Sequence, residues 1–317
     1  MRTIGLLSVL ALLMLAAAAP ARAAPAIAFD VETGAVVHAH EAFRPWYPAS
    51  LTKLMTVYLV FRATAEGRIS ADAPVTMTPQ SAALTANVTG WKAGEEVALA
   101  DAVRVLMVKS ANDMGVAVAQ HVSGTVEAFV AEMNATAARL GMTGTNFVNP
   151  HGLHDPAHVS TARDMGLLAQ AIWREFPEQA GFFDLAGATV RGQAMTNFNR
   201  LLGKYPGADG MKTGFVCAAG YNQVASAARN GRRVVAVVLG ALSEDRREQV
   251  AAALLDVAFA GAGGTPIQAL APQSEPDGPV DMRPHTCGKQ RPPAALVSYG
   301  LAEPAPRVPL PVSRPAR

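Results

Sequence analysis

A chain of 317 residues has room for one large domain or two small ones with an ample core. Its 27 basic and 25 acidic side chains give a formal charge of only +2, and its few aromatics are not interleaved with basic residues. Neither feature makes an electrostatic case for a nucleic-acid partner or an anionic membrane surface.

Taken in order, the chain begins with Met1-Arg2, an apolar run from Ile4 to Ala19, and Ala21-Arg22-Ala23 with small residues at −3 and −1. This reads as a secretory signal peptide cleaved after Ala23. The span is short for a retained membrane anchor, and no other segment is apolar enough to cross a bilayer. No cysteine near the cleavage site marks a lipoprotein. Cleavage removes Arg2 and Arg22 and balances the charges at 25 of each sign. An exported protein meets an oxidising compartment, so its two cysteines, Cys217 and Cys287, are expected as a disulfide.

Residues 26–31 and 35–39 read as two strands around the turn Glu32-Thr33-Gly34. A helix follows from about Ser50 to Ala65, with Leu51, Leu54, Met55, Tyr58 and Leu59 at helical spacing and Gly67 as its stop. Residues 69–98 read as short strands and loops, and helices are expected over 101–108, 113–122 and 126–140. Thr143 to Val159 is loop-like, and Thr161 starts a helix through Trp173 that Pro177 ends. Strands are expected around 211–215, 220–228 and 232–241, the last two joined by the hairpin signal Asn230-Gly231. Ser243 then caps a helix reaching Phe259. The order implies an α+β fold: an antiparallel sheet built from both chain ends, flanked by helices, with an inserted helical lobe. The composition changes beyond Gly261, where 12 of the 22 prolines fall in residues 263–317. That tail is expected to be extended and partly disordered.

Ser50-Leu51-Thr52-Lys53 places a hydroxyl and an amine one helical turn apart. A serine becomes a good nucleophile when an adjacent base takes its proton. By itself Ser-x-x-Lys is a common accident, and Ser110-Ala111-Asn112 and Lys212-Thr213-Gly214 would singly read as a cap and a turn. His151, His154 and His158 form a second cluster, but Pro156 prevents the continuous helix that would converge their nitrogens on a metal. No metal and no cofactor are expected.

The three short motifs in this order form the signature of penicillin-recognising serine enzymes. Residues 145–168 and 207–242 extend the likeness, and the chain over about 25–262 resembles the D-alanyl-D-alanine carboxypeptidases, the low-molecular-mass penicillin-binding proteins. The resemblance implies a β-lactamase/transpeptidase-like catalytic domain over 24–262. Its expected substrate is the peptidoglycan stem pentapeptide, with β-lactams as covalent inhibitors and a periplasmic or secreted location. Ser50 would attack the carbonyl between the terminal D-alanines, Lys53 would serve as base, and the nearby cation Lys212 would disfavour its protonated form. Ser110 would relay a proton to the leaving amine, and Asn112 would hold the substrate amide. Lys212 and Thr213 would receive the substrate carboxylate beside Gly214, and the N–H groups of Ser50 and Phe215 would form an oxyanion hole. Arg247 or its neighbour Arg246 would help bind that carboxylate. Cys217, three residues past Gly214, would place the disulfide beside the site.

The same motifs would serve a D,D-endopeptidase acting on cross-links, or a β-lactamase. No glutamate occurs between Glu132 and Glu175 to release a penicilloyl group, so slow deacylation is expected. A non-catalytic binding module would not need an activated serine. The proline-rich tail is too short and aperiodic for the second β-rich domain or the amphipathic membrane helix of many relatives.

Overall fold

Strands β1 (Ala26–Asp30) and β2 (Val36–His40) meet across a turn in which Gly34 takes a φ of 73°. These coordinates belong to a computed structural model that describes residues 24–272 and 277–301; the expected signal peptide lies outside the described residues. Next come α1 (Lys53–Ala65), the short pair β3 (Pro74–Thr76) and β4 (Glu96–Ala98) flanking α2 (Pro79–Ala82), then α3 (Leu99–Val108), α4 (Asn112–Ser123), α5 (Val126–Arg139) and α6 (Ala162–Glu175). A hairpin of β5 (Gly187–Val190) and β6 (Gln193–Thr196) precedes β7 (Ala208–Val216), β8 (Gly220–Arg229), β9 (Arg232–Ala241) and α7 (Glu244–Ala260).

The main sheet is antiparallel with order β2-β1-β9-β8-β7, so the first strand pairs with the last and β7 is an edge. Its central strands are buried on both faces, and side chains alternate between two cores. Ile27, Phe29, Val235 and Val237 face the helical lobe, while Ala26, Ala28, Val234 and Ala236 face Val250, Leu254 and Leu255 of α7. The small alanines let α7 lie close on its face. Asn230 and Gly231 both take positive φ, as a two-residue hairpin between twisted strands requires.

Helix α1 is buried almost all round, from Lys53 through Phe61, which explains why its apolar residues exceed a single stripe. The helical lobe that surrounds it lies between β2 and β7 in the chain. The β5–β6 hairpin falls in a stretch whose sequence reads as irregular. It turns at Arg191-Gly192, both at positive φ, without the Asn-Gly or Asp-Gly that advertises such a turn.

The described part of the tail packs back onto the domain. Ile267, Met282, Leu296 and Tyr299 are buried, and His38 Nε2 donates to the Tyr299 carbonyl at 2.7 Å. A four-residue helix, α8 (Arg283–Thr286), leads into Cys287, which is bonded to Cys217 at the end of β7–β8. Anchors this widely spaced leave no periodic trace in a proline-rich sequence. The prolines restrict the unfolded chain, and a crosslink spanning 70 residues removes further chain entropy worth about 4 kcal/mol. Residues 302–317 lie outside the described residues. Among the described residues no helix is long and apolar enough to cross a membrane.

Candidate active site

Ser50 lies in a single turn of 3-10 helix, Ala49–Thr52, that runs directly into α1, so Lys53 opens the α-helix one turn after it. Ala49 is held at φ 50°, a conformation costly for a residue with a Cβ. The surroundings explain its persistence. Thr52 Oγ1 donates to the Ala49 carbonyl at 2.8 Å and His158 Nε2 meets that same hydroxyl at 2.8 Å. Val148 N–H donates to His158 Nδ1, which leaves Nε2 as the protonated nitrogen. Gly152 packs so closely against Ala49 that a Cβ there would lie 1.9 Å from the carbonyl oxygen.

Lys53 is fully buried, and its Nζ lies within hydrogen-bond distance of three oxygens: Ser50 Oγ at 3.1 Å, Asn112 Oδ1 at 2.7 Å and the His151 carbonyl at 2.6 Å. Burial, reinforced by the positive charge of Lys212, holds its pKa well below the usual amine range. A neutral amine has two N–H bonds and one lone pair. The two shorter bonds occupy both hydrogens and leave the lone pair for the Ser50 hydroxyl. In that state the amine is able to take the proton of the Ser50 hydroxyl.

Ser110 sits at the junction of α3 and α4 with φ 60°, and its Oγ is buried without a hydrogen-bond partner among the described residues. Asn87, also at positive φ, holds this junction: its Nδ2 donates to the Lys109 and Ser110 carbonyls and its own carbonyl accepts from Asn112 N–H. Three of the six non-glycine residues at positive φ among the described residues, Ala49, Asn87 and Ser110, are therefore gathered at one place. Asn112 also reaches the base: its Oδ1 accepts from Lys53 at 2.7 Å and its Nδ2 donates to the Ala86 carbonyl at 2.6 Å, which leaves one Nδ2 hydrogen uncommitted.

Edge strand β7 forms the opposite wall. A Cβ on Gly214 would lie 2.9 Å from Ser50 N and 3.1 Å from Leu51 N, so glycine permits the strand to touch the nucleophile turn. Asn222 on β8 ties the same turn down, donating to the Tyr47 and Pro48 carbonyls. Lys212 is buried, donates to the Thr213 carbonyl, and has its pKa lowered to about 7 by burial and by Arg247. Arg247 is buried; its Nη2 donates to the Phe198 carbonyl and to Glu248, and its Nε lacks a partner among the described residues.

A cleft of about 280 Å³ brings together Ser50, Ser110, Thr213, Gly214, Phe215 and Arg247. Arg246 lies elsewhere, lining a separate groove against the C-terminal segment. Lys53, Asn112 and Lys212 stand behind the cleft wall rather than on it. Asn87, Phe198, Tyr221 and Glu244 line the cleft without having been singled out by sequence. The Asn87 backbone carries the only signal that could have found it, since asparagine tolerates the left-handed region. Phe215 packs against Tyr221 with ring centroids 4.3 Å apart and planes tilted by 33°, and Phe198 is 46% exposed. The buried Lys212 and Arg247 make the cleft suited to an anionic ligand end.

The histidines have structural uses. His151 supplies its carbonyl to Lys53, His158 braces Thr52, and His154 meets the Tyr47 ring edge-on at 4.6 Å. Burial lowers the pKa of His151 to about 3 and of His158 to about 4, so both are neutral at ordinary pH.

With this geometry in place, comparison with known proteins is direct. The sequence model of the D-alanyl-D-alanine carboxypeptidase family matches residues 14–243. D-alanyl-D-alanine carboxypeptidase DacF of Bacillus subtilis is 33% identical over 238 residues, covering 74% of this chain and 61% of that protein. The crystal structure of penicillin binding protein 5 from Haemophilus influenzae superposes with a TM-score of 0.72 at 37% identity, covering 75% of this chain and 71% of that one. Penicillin-Binding Protein D2 from Listeria monocytogenes, in its ampicillin-bound form, superposes with a TM-score of 0.68 at 30% identity, covering 75% and 97%. The chain spans about three-fifths of the length of the first curated relatives it matches. A match over most of the sequence, carried on the same fold as the penicillin-binding proteins, places this chain in the D-alanyl-D-alanine carboxypeptidase family.

Proposed function

We propose that the chain is a serine-type D-alanyl-D-alanine carboxypeptidase that removes the terminal D-alanine from peptidoglycan stem pentapeptides. The observation that carries this reading is the Lys53 amine, buried, depressed in pKa and aimed at Ser50 Oγ with its other contacts satisfied. Ser50 Oγ adds to the carbonyl between the two D-alanines as its proton passes to Lys53. The developing oxyanion meets the Ser50 and Phe215 N–H groups. Collapse breaks the C–N bond, and Ser110 relays the proton from Lys53 to the departing D-alanine amine. Water then attacks the ester with Lys53 again as base, which regenerates Ser50. Lys212, Thr213 and Arg247 receive the terminal carboxylate.

β-Lactams, whose strained amide mimics the scissile bond, acylate the same serine and leave slowly. Among the described residues Glu244 is the one carboxylate lining the cleft, and it belongs to the α7 wall with Arg247 rather than to the 132–175 stretch. The catalytic domain is residues 24–262, exported to the periplasm or beyond after loss of residues 1–23.

The test is mass spectrometry of a D-Ala-D-Ala-terminated stem peptide incubated with the mature protein beside a Ser50→Ala control. Loss of one alanine with the active protein alone supports the proposal. An intact pentapeptide together with cleavage of cross-linked dimeric muropeptides would instead assign an endopeptidase.

A further inference from the structure

Two residues past Phe215 the chain turns from β7 into β8 through Cys217-Ala218-Ala219. Each of the three carbonyls in this turn is claimed by a side chain or backbone group from elsewhere. Thr286 Oγ1 donates to the Cys217 carbonyl at 2.6 Å, and Met282 N–H donates to the Ala218 carbonyl at 3.0 Å. Trp46 Nε1 donates to the Ala219 carbonyl at 2.8 Å. The Cys217–Cys287 disulfide adds a covalent tie. Met282 is fully buried, so this short segment is docked rather than merely tethered.

The third donor connects the turn to the nucleophile. Trp46 is buried four residues before Ser50, and the intervening Tyr47 and Pro48 carbonyls are held by Asn222 of β8. The segment also reaches that loop electrostatically, since Asp281 and Arg283 both act on Tyr47 and on His154 beside it. The turn after Phe215, the loop before Ser50 and the segment 281–287 thus brace one another. Residues 281–287 lie beyond the 14–243 span that the family's sequence model matches. The third member of this brace is therefore outside the family's common core.

We propose that residues 282–287 are a positioning strap that sets the Phe215 N–H against Ser50, with Thr286 and the Cys217–Cys287 bond as its working contacts. The proposal rests on reading Phe215 N–H as an oxyanion donor. An oxyanion donor acts on charge that develops in the transition state, so misplacing it slows bond formation more than it weakens initial binding. A displacement that is a fraction of an ångström in such a donor costs on the order of tenfold in rate.

The experiment measures acylation of the mature full chain by a fluorescent penicillin across a concentration series, separating the limiting rate from the half-saturating concentration. The proteins are wild type, C217A/C287A, Thr286→Val and Thr286→Ser, each with its folded fraction measured by circular dichroism at the assay temperature. The expected result is a limiting rate lower by about tenfold in C217A/C287A and by a few-fold in Thr286→Val, at nearly unchanged half-saturation, with Thr286→Ser restored because it keeps the hydroxyl. A limiting rate equal to wild type in folded Thr286→Val overturns the strap, as does a loss fully matched by the unfolded fraction in both variants. Absence of acylation in wild type itself would overturn the acyl-enzyme reading and the strap together.

Discussion

Replacing Asn112 by aspartate separates the two uses this residue could have. The change keeps the shape of the side chain and puts a carboxylate oxygen where Oδ1 now accepts from Lys53 Nζ at 2.7 Å. At that distance an opposite charge favours the protonated amine by about one to three pKa units. Lys53 is depressed chiefly by burial and secondarily by Lys212, so the new anion acts directly against both causes. If activity requires neutral Lys53, the acidic limb of the acylation rate moves upward by that same interval, roughly 10- to 1000-fold less neutral amine at a fixed pH below the limb. The assay is the limiting rate of penicillin acylation against pH for wild type and Asn112→Asp. Activity should recover in the variant as pH rises. The reasoning fails if the acidic limb stays where it was and only the half-saturating concentration changes, because Asn112 would then be acting on the ligand and not on the base.

Two further outcomes follow from the same geometry. Gly214→Ala places a Cβ 2.9 Å from Ser50 N and 3.0 Å from the Pro48 carbonyl, all rigid backbone, so the strand must retreat by about 0.5 Å to reach ordinary contact; acylation should slow by about tenfold with the fold intact, and an unchanged rate would show that β7 need not touch the nucleophile turn. His158 has a folded pKa of about 4 against an ordinary 6.5, so as pH falls the unfolded chain takes up the proton first. Its contribution is intact above about 6.5 and is lost progressively toward 4, amounting to roughly 3 kcal/mol at the acid end. Urea unfolding across this range should show His158→Gln to be less acid-sensitive than wild type, and parallel curves for the two proteins would contradict the assignment.

Much of the site was legible in the sequence because its chemistry is written in short, contiguous groups. Ser50 and Lys53 are a turn apart on one helix, so helical geometry alone brings them together, and the 3.1 Å contact realises that spacing. The strands and helices were equally legible where local signals were strong, as at Asn230-Gly231 or in the Thr161 and Ser243 caps, whose hydroxyls accept the bonds expected of them. Local signals therefore carry the α+β order of elements, the pairing of Ser50 with Lys53 and the family likeness.

The rest depended on contacts between residues far apart in the chain. That Asn112 serves Lys53, that Arg247 and not Arg246 enters the cleft, and that Asn87 and Asn222 hold the two active turns are facts of packing. None has a local pattern, because the contacts behind them join groups 23 to 175 positions apart. The tail is the clearest case: proline-rich composition argues for an extended chain, yet a few buried side chains and one crosslink overcome its ordering entropy. Whether such widely spaced anchors find their sockets is decided by the finished surface of the domain, and no window of sequence contains that surface.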